Sequence, residues 1–239
     1  MKIGFYTLGC KVNQYETQAM EQILREEGHE VSDLKEQCDA YIINTCTVTA
    51  ESDRKSRQII RRAIKKNPNA VVAAVGCYTQ RSADEVAAIP GVDIVIGTDG
   101  KMAVINAVID KICKKNTEQY VSVSDVTKAE FEPMTITRAP RTRAYLKIED
   151  GCESKCTYCA ISDARGRVRS KPKDEVIREV EALATSGIRE IVLTGIETGS
   201  YGKDFDFEEK MTKIVTIIKI NALEYTAKHR PIPIQNQKK

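Results

Sequence analysis

The sequence contains no long apolar run and no segment typical of an exported protein. Its longest apolar stretches, such as residues 70–77, are far shorter than the roughly 18 residues that a membrane-spanning helix requires. The first residues lack the basic region, the apolar region and the small-residue cleavage site of a secretory signal. We therefore expect a cytoplasmic protein that contacts no membrane.

Net charge is also small, but it is unevenly distributed. The 239 residues carry a net charge of +3 at pH 7. Residues 138–173 hold 10 basic and 4 acidic side chains, whereas the segments before and after them are weakly acidic. A local basic segment is typical of a protein with a polyanionic partner, and a merely solvated loop is the alternative.

Short apolar segments alternate with helical patterns over the first 114 residues. Residues 3–8, 40–44, 70–75 and 93–96 are short runs rich in apolar and β-forming side chains, and helical spacing separates them. Strands that are apolar throughout predict a parallel sheet with helices on both faces. The sequence therefore predicts an open α/β domain.

The periodicity changes after this domain. Thr, Val, Ser and Pro dominate the next residues, with one extended segment expected at 120–123, and a strand–helix–strand pattern follows over 144–194. A single amphipathic helix is expected over 208–228. We predict four parts: an α/β domain (1–114), a linker (115–143), the first part of a second α/β unit (144–204) and an atypical tail (205–239).

Three of the 8 cysteines, Cys10, Cys46 and Cys77, directly follow predicted strands; we call them the rim cysteines. The carboxyl ends of parallel strands meet at one edge of a sheet, where ligands bind, so these thiols are expected to converge. Burial as small apolar side chains is the alternative for each. For Cys38 and Cys113, which follow no strand, burial of this kind or an incidental position is favoured.

A reduced thiol cluster favours metal binding over disulfides in a chain without an export signal. Structural zinc usually takes four protein ligands, whereas three cysteines can hold an iron–sulfur cube and leave one iron open. Neither of the 2 histidines, His29 and His229, is near a predicted strand end. The rim cysteines therefore favour an iron–sulfur cluster.

A second set, Cys152, Cys156 and Cys159, has the spacing Cys-x3-Cys-x2-Cys directly after the predicted strand 144–148; we call these the loop cysteines. A zinc ribbon would need a second Cys-x2-Cys pair further along, which this chain lacks. The spacing predicts a [4Fe–4S] cluster that binds S-adenosylmethionine at its unique iron, the cofactor supplying radical chemistry.

With both sets identified, the chain resembles the radical-SAM tRNA methylthiotransferases over about residues 1–205. TLGCKVN and NTCTVT look most like the branch that acts on N6-threonylcarbamoyladenosine at position 37 of tRNA. The resemblance rests on the segments TLGCKVNQYET, NTCTVTAESDRKSRQ, GCYTQ, RAYLKIEDGCESKCTYC, ARGRVRS and LTGIETGSYG.

The resemblance implies an N-terminal open parallel-sheet methylthiotransferase domain followed by a radical-SAM (β/α) barrel. It implies two [4Fe–4S] clusters, S-adenosylmethionine, an electron donor and tRNA as the partners of the reaction. The loop cysteines would hold the radical-SAM cluster, with Tyr158 near the adenine of S-adenosylmethionine. The rim cysteines would hold an auxiliary cluster that carries the sulfur to be inserted at C2 of the modified adenine.

A basic stripe lies immediately beyond the loop cysteines. Alternating side chains of this kind would contact phosphates and position an RNA loop without reading its sequence. A solvated surface in front of a helix is the alternative. The stripe consists of Arg165, Arg167, Arg169, Lys171 and Lys173.

The chain also departs from the family pattern. Only two strands and one helix of the barrel are recognisable, and no small RNA-binding TRAM domain follows. Ser162-Asp163 replaces a Pro-aromatic pair, and Glu197-Thr198 replaces a pair that is commonly His-Leu. We expect a C-terminally truncated member that is inactive alone. A non-catalytic iron–sulfur or RNA-binding remnant and a zinc-stabilised binding module are the alternatives.

Overall fold

The structure, a computed structural model, describes residues 1–114, 116–139 and 143–205. Its strands are β1 (Lys2–Thr7), β2 (Glu30–Asp33), β3 (Ala40–Thr45), β4 (Val71–Gly76), β5 (Ile94–Ile96), β6 (Tyr120–Ser122), β7 (Arg143–Lys147), β8 (Glu149–Asp150), β9 (Arg169–Ser170) and β10 (Glu190–Thr194). Its helices are α1 (Lys11–Glu26), α2 (Ala50–Lys66), α3 (Cys77–Arg81), α4 (Ala83–Ala87), α5 (Ala103–Lys114), α6 (Ile161–Arg165) and α7 (Lys173–Thr185), with a 3-10 turn at Thr198–Ser200.

A parallel six-stranded sheet forms the first unit, in the order β2-β1-β3-β4-β5-β6. All residues of the central strand β3 are buried, because helices cover both faces. Ile42 packs with Met20 of α1 and Val104 of α5 on one face. Ile43 packs with Ile60 of α2 on the other. The predicted α/β class with a covered parallel sheet is confirmed.

The edge strand β6 lies in the segment that we predicted to be a linker. It pairs in parallel with β5, with Ile94 opposite Tyr120 and Ile96 opposite Ser122. Its three residues are exposed. An exposed strand needs no run of apolar residues, and this segment has none of the kind that identified the other strands. The extended segment expected at 120–123 is therefore part of the sheet.

The second unit is smaller and packs on the first. β7 and β10 form a parallel pair, and α7 lies between them in sequence. Leu146 of β7 and Val180 of α7 share a buried cluster with Tyr15 and Ala19 of α1. Helix α1 therefore contributes to the interiors of both units.

Two sequence expectations for the C-terminal part lie outside the described residues. They are the helix expected over 208–228 and nearly all of the tail expected from 205. None of the helices within the described ranges is long and apolar enough to cross a bilayer.

Candidate functional site

The rim cysteines follow three strands that are neighbours in the sheet. Cys10 is the N-cap of α1, just after β1, and its side chain makes no capping hydrogen bond. Cys46 directly follows β3, and Cys77 is the first residue of α3, after β4. Because β1, β3 and β4 are adjacent, their parallel carboxyl ends bring the three cysteines to one edge.

The backbone at Gly9 lies close to the side chain of Cys46. Gly9 has a φ of +99°, and a Cβ at this position would lie 2.9 Å from the Sγ of Cys46. Burial raises the pKa of the Cys46 thiol, and the nearby thiols of Cys77 and Cys10 raise it further. Cys46 and Cys77 are buried whereas Cys10 is exposed. The three thiols thus share one edge that is open to solvent on one side.

Asn13 ties the rim together, and our sequence analysis did not identify it. Its Nδ2 donates to the carbonyl of Leu8 at 2.7 Å and to that of Thr45 at 2.9 Å. These carbonyls precede Cys10 and Cys46 closely in the chain. The sequence does contain a signal for Asn13: it is an asparagine three residues after a rim cysteine, at the start of a predicted helix.

The loop cysteines lie on an irregular segment after β8. The amide of Cys152 donates to the carbonyl of Gly166 at 3.0 Å, and that of Cys159 to the carbonyl of Cys156 at 3.0 Å. The Cys152 thiol donates to Glu197 at 3.4 Å. Cys156 is exposed and the other two are partly buried, so backbone hydrogen bonds order the segment while its thiols remain accessible.

Tyr158 stands between two loop cysteines with 90% of its surface exposed. The backbone beside it includes Lys155, with a φ of 45°. An aromatic ring held free of the core at this point offers an open face to a planar ligand.

The predicted basic stripe is wrong for three of its five members, since Arg165, Arg169 and Lys171 are buried. Burying a cation is costly unless it is paired, and these three have carboxylate partners. Arg167 is exposed and Lys173 is partly exposed. Only these two retain the position that contact with phosphate requires.

Arg165 reaches from the second unit to the rim. Its Nε donates to the Sγ of Cys77 at 3.2 Å, and its Nη2 to Asn13 Oδ1 at 2.6 Å. Its Nη1 donates to Glu16 Oε1 at 2.6 Å and to Asp150 Oδ2 at 3.0 Å. One side chain therefore contacts a rim cysteine, α1 and β8 together.

A buried ionic network surrounds this contact. Glu16 pairs with Lys101, with Lys147 and with Arg165, and Asp150 pairs with Lys147, Arg165 and Arg169. Burial raises the pKa of Glu16, but the surrounding cations outweigh burial and hold that pKa well below its usual range. Burial raises the pKa of Asp150 as well, but Arg165, Lys147 and Arg169 outweigh it and lower that pKa, so both carboxylates are ionised in the interior.

Glu149 behaves in the opposite way. Burial raises its pKa to about 7. Its Oε2 accepts the backbone N–H of Glu197 at 2.8 Å, while its Oε1 is buried with no hydrogen-bond partner. This carboxyl links β8 to the loop after β10, and its partner there, Glu197, also accepts from the Cys152 thiol.

The donor chemistry at both sets of cysteines fits an iron–sulfur cluster. Thiolates are the ligands such clusters take, and the rim offers three thiols beside a guanidinium. Among residues 1–114, 116–139 and 143–205, no group of three His, Cys, Asp or Glu side chains is arranged around a single metal-ion position. The assignment of the six cysteines as ligands therefore stays a prediction.

Comparison with known proteins matches both units. Residues 2–97 match the model of "Uncharacterized protein family UPF0004", and residues 146–230 match that of the radical SAM superfamily. In the solved structure of the radical S-adenosylmethionine methyltransferase TsrM from Kitasatospora setae, 52% of the chain corresponds to 96% of this one. The TM-score is 0.53 and the identity 16%, which concerns the fold alone.

Relatives with assigned names are more similar in sequence. The threonylcarbamoyladenosine tRNA methylthiotransferase MtaB of Bacillus subtilis is 46% identical over 219 residues, covering 90% of this chain and 48% of that protein. The tRNA-2-methylthio-N(6)-dimethylallyladenosine synthase of Fervidobacterium nodosum is 31% identical over 217 residues, covering 91% and 49%. The chain thus spans about half the length of these relatives. Its similarity to these named methylthiotransferases extends over both the UPF0004 region and the radical-SAM region.

Proposed function

We propose that this chain is the cluster-binding part of an enzyme that methylthiolates C2 of N6-threonylcarbamoyladenosine at position 37 of tRNA. The observation that carries the proposal is the arrangement of the rim cysteines on three adjacent parallel strands, in a chain that also has Cys-x3-Cys-x2-Cys. The higher identity to the threonylcarbamoyladenosine enzyme than to the dimethylallyladenosine enzyme favours this nucleoside.

The rim cysteines would hold an auxiliary [4Fe–4S] cluster, and the loop cysteines a second that binds S-adenosylmethionine. When bound, these groups supply the radical and the sulfur that an unactivated aromatic C–H bond requires. The chain itself orients the thiols: Asn13 fixes the backbone before two rim cysteines, and Arg165 contacts the third. Tyr158 offers its exposed ring to the adenine of S-adenosylmethionine.

Contact with tRNA would involve Arg167 and Lys173, because the other stripe members are internal. An electron donor is a further partner, since generating the radical consumes an electron. The reaction would take place in the cytoplasm, where tRNA is found. The described radical-SAM part contributes the two parallel strands β7 and β10, so we expect this 239-residue polypeptide to bind clusters without methylthiolating tRNA.

Anaerobic reconstitution with iron and sulfide tests this proposal. Two cubes require about eight iron atoms per chain. Cys77→Ala and Cys156→Ala should each reduce the content to about four, because each removes one of three ligands from a different cube. Cys113→Ala, at an exposed thiol on α5, should retain the full content.

Three results would contradict parts of the proposal. Zinc bound in place of iron would favour a zinc-stabilised module. Iron content unaffected by Cys77→Ala would remove the auxiliary site. Loaded protein that forms no 5′-deoxyadenosine from S-adenosylmethionine and a reductant would favour a non-catalytic remnant, whereas methylthiolated tRNA would contradict the expected inactivity of this polypeptide.

A further inference from the structure

The side chain of Arg165 is fully buried, and its three nitrogens all have partners. Its flat guanidinium directs Nε at the Sγ of Cys77 and Nη2 at Asn13, while Nη1 lies between Glu16 and Asp150. A planar fork of fixed N–H directions can satisfy such an arrangement, whereas an ammonium cannot reproduce it. The hydrogen bond to the Cys77 sulfur is thus one of several contacts that together fix the orientation of the guanidinium.

Independent backbone contacts place Arg165 at this position. The hydroxyl of Thr98, in the first unit, donates to the carbonyl of Ala164 at 2.6 Å. Gly166 follows with a φ of +71°, and a Cβ there would lie 2.2 Å from the carbonyl oxygen of Val126. Helix α6 is therefore held against the first unit on both sides of Arg165, without help from the thiol.

The buried cations around Arg165 outnumber the carboxylates that pair with them, which favours a further anion at the rim. Within the described residues, four buried cations of this network form ion pairs with two carboxylates. Two more carboxyl groups, Glu132 and Glu149, interact electrostatically with Lys147 without an ion pair. Unbalanced buried charge is costly, and thiolates that ligate iron are anionic. The cations are Lys101, Lys147, Arg165 and Arg169, and the carboxylates are Glu16 and Asp150.

We propose that Arg165 is a positioning residue for the auxiliary cluster: its Nε–H bond holds the Cys77 sulfur in its liganding orientation and raises the reduction potential of the cluster. The inference rests on the proposed function. Hydrogen bonds to ligand sulfurs are among the factors that set cluster potentials, and groups behind a ligand orient it. Arg165 ends helix α6 of the radical-SAM segment, six residues after Cys159, so the segment that holds one cluster would tune the other.

Redox titration followed by EPR distinguishes this role from a purely structural one. In a Cys156→Ala background, the auxiliary cluster is the one cluster that we expect to assemble. There, Arg165→Lys keeps the positive charge but loses the forked N–H groups of the guanidinium. We expect a lower midpoint potential and altered g values. Arg143→Lys is the control, because Arg143 at the start of β7 also loses its fork but pairs with the exposed Glu190. A fully loaded Arg165→Lys protein with unchanged potential and spectrum would overturn the inference.

A measurement on the native arginine covers the case in which Arg165→Lys does not fold. In metal-free protein labelled with 15N-arginine, Cys77→Ser should shift the Arg165 Nε–H resonance more than that of any other arginine. An unshifted resonance overturns the inference even if iron binds. A shifted resonance in a chain that assembles no cluster leaves the contact intact and counts against the proposed function instead.

Discussion

The phenol oxygen of Tyr15 in α1 lies 2.8 Å from a carboxylate oxygen of Glu179 in α7. The same carboxylate accepts the backbone N–H of Ile136 at 2.8 Å and pairs with Lys171. All of these groups are buried, so this polar cluster joins the two α/β units through their shared interior. The units are therefore expected to unfold together.

Tyr15→Phe should lower the free energy of unfolding by about 1.5–3 kcal/mol, the range for a hydrogen bond to a charged group. Lys171→Met should cost more, about 3–5 kcal/mol, because it leaves Glu179 buried without its cation. Urea unfolding followed by circular dichroism measures both. Tyr120→Phe, on the exposed edge strand β6, should change the value by less than about 0.5 kcal/mol. Equal effects of Tyr15→Phe and Tyr120→Phe would contradict a structural role for the cluster.

Glu16→Gln should be among the most destabilising substitutions, at about 3–5 kcal/mol, because it leaves Lys101, Lys147 and Arg165 without a shared anion. The pKa of Glu16 is lowered in the folded state. Its stabilising contribution is therefore present above the unfolded pKa and is lost as pH falls through the folded value.

Acid titration of stability checks this prediction. The wild-type protein should lose stability below about pH 4.5, the ordinary pKa of the unfolded carboxyl, and Glu16→Gln should lose less over the same interval. Glu51→Gln is the control, since Glu51 forms a surface pair with Arg54 and should cost at most about 1 kcal/mol. A wild-type acid profile retained by Glu16→Gln would rule out this carboxylate as its source.

Glu149→Gln should raise the stability of the protein at high pH, whereas Glu16→Gln should lower stability. The folded-state pKa of Glu149 is about 7, above its unfolded value, so its contribution is complete below the unfolded pKa and is lost as pH rises to about 7. A glutamine stays neutral, and the variant should gain about 1–3 kcal/mol over wild type at pH 8 while matching it at pH 4. Thermal unfolding across this interval measures the gain. A parallel pH dependence in both proteins would contradict the assigned pKa.

Gly9→Ala should damage the rim specifically. A Cβ at Gly9 would lie 2.9 Å from the Sγ of Cys46, whereas one at Gly28 would meet no atom within 4 Å. Both positions have positive φ, so both alanines share a strain of about 1–2 kcal/mol. After anaerobic reconstitution, Gly9→Ala should hold about four iron atoms, those of the single remaining cube, and Gly28→Ala the full content. Equal iron contents would show that the rim tolerates the extra methyl group.

Much of the fold was predictable because its signals are local. Central strands such as β3 and β4 consist mostly of apolar residues, and that pattern is visible in the sequence whatever surrounds the strands. The edge strand β6 and the five-residue helix α3 lack such a pattern. A strand exposed on its outer edge needs no apolar run, and a helix of one turn has too few residues to show periodicity.

The sequence by itself determined which cysteines follow strands, and parallel pairing then requires Cys10, Cys46 and Cys77 to share an edge. Only the tertiary structure decided that Arg165 is an internal group rather than a surface cation. Its partners Glu16 and Cys77 stand 149 and 88 residues away. A run of alternating cations has the same local pattern on a surface as in an interior, and burial depends on whether distant anions meet it there.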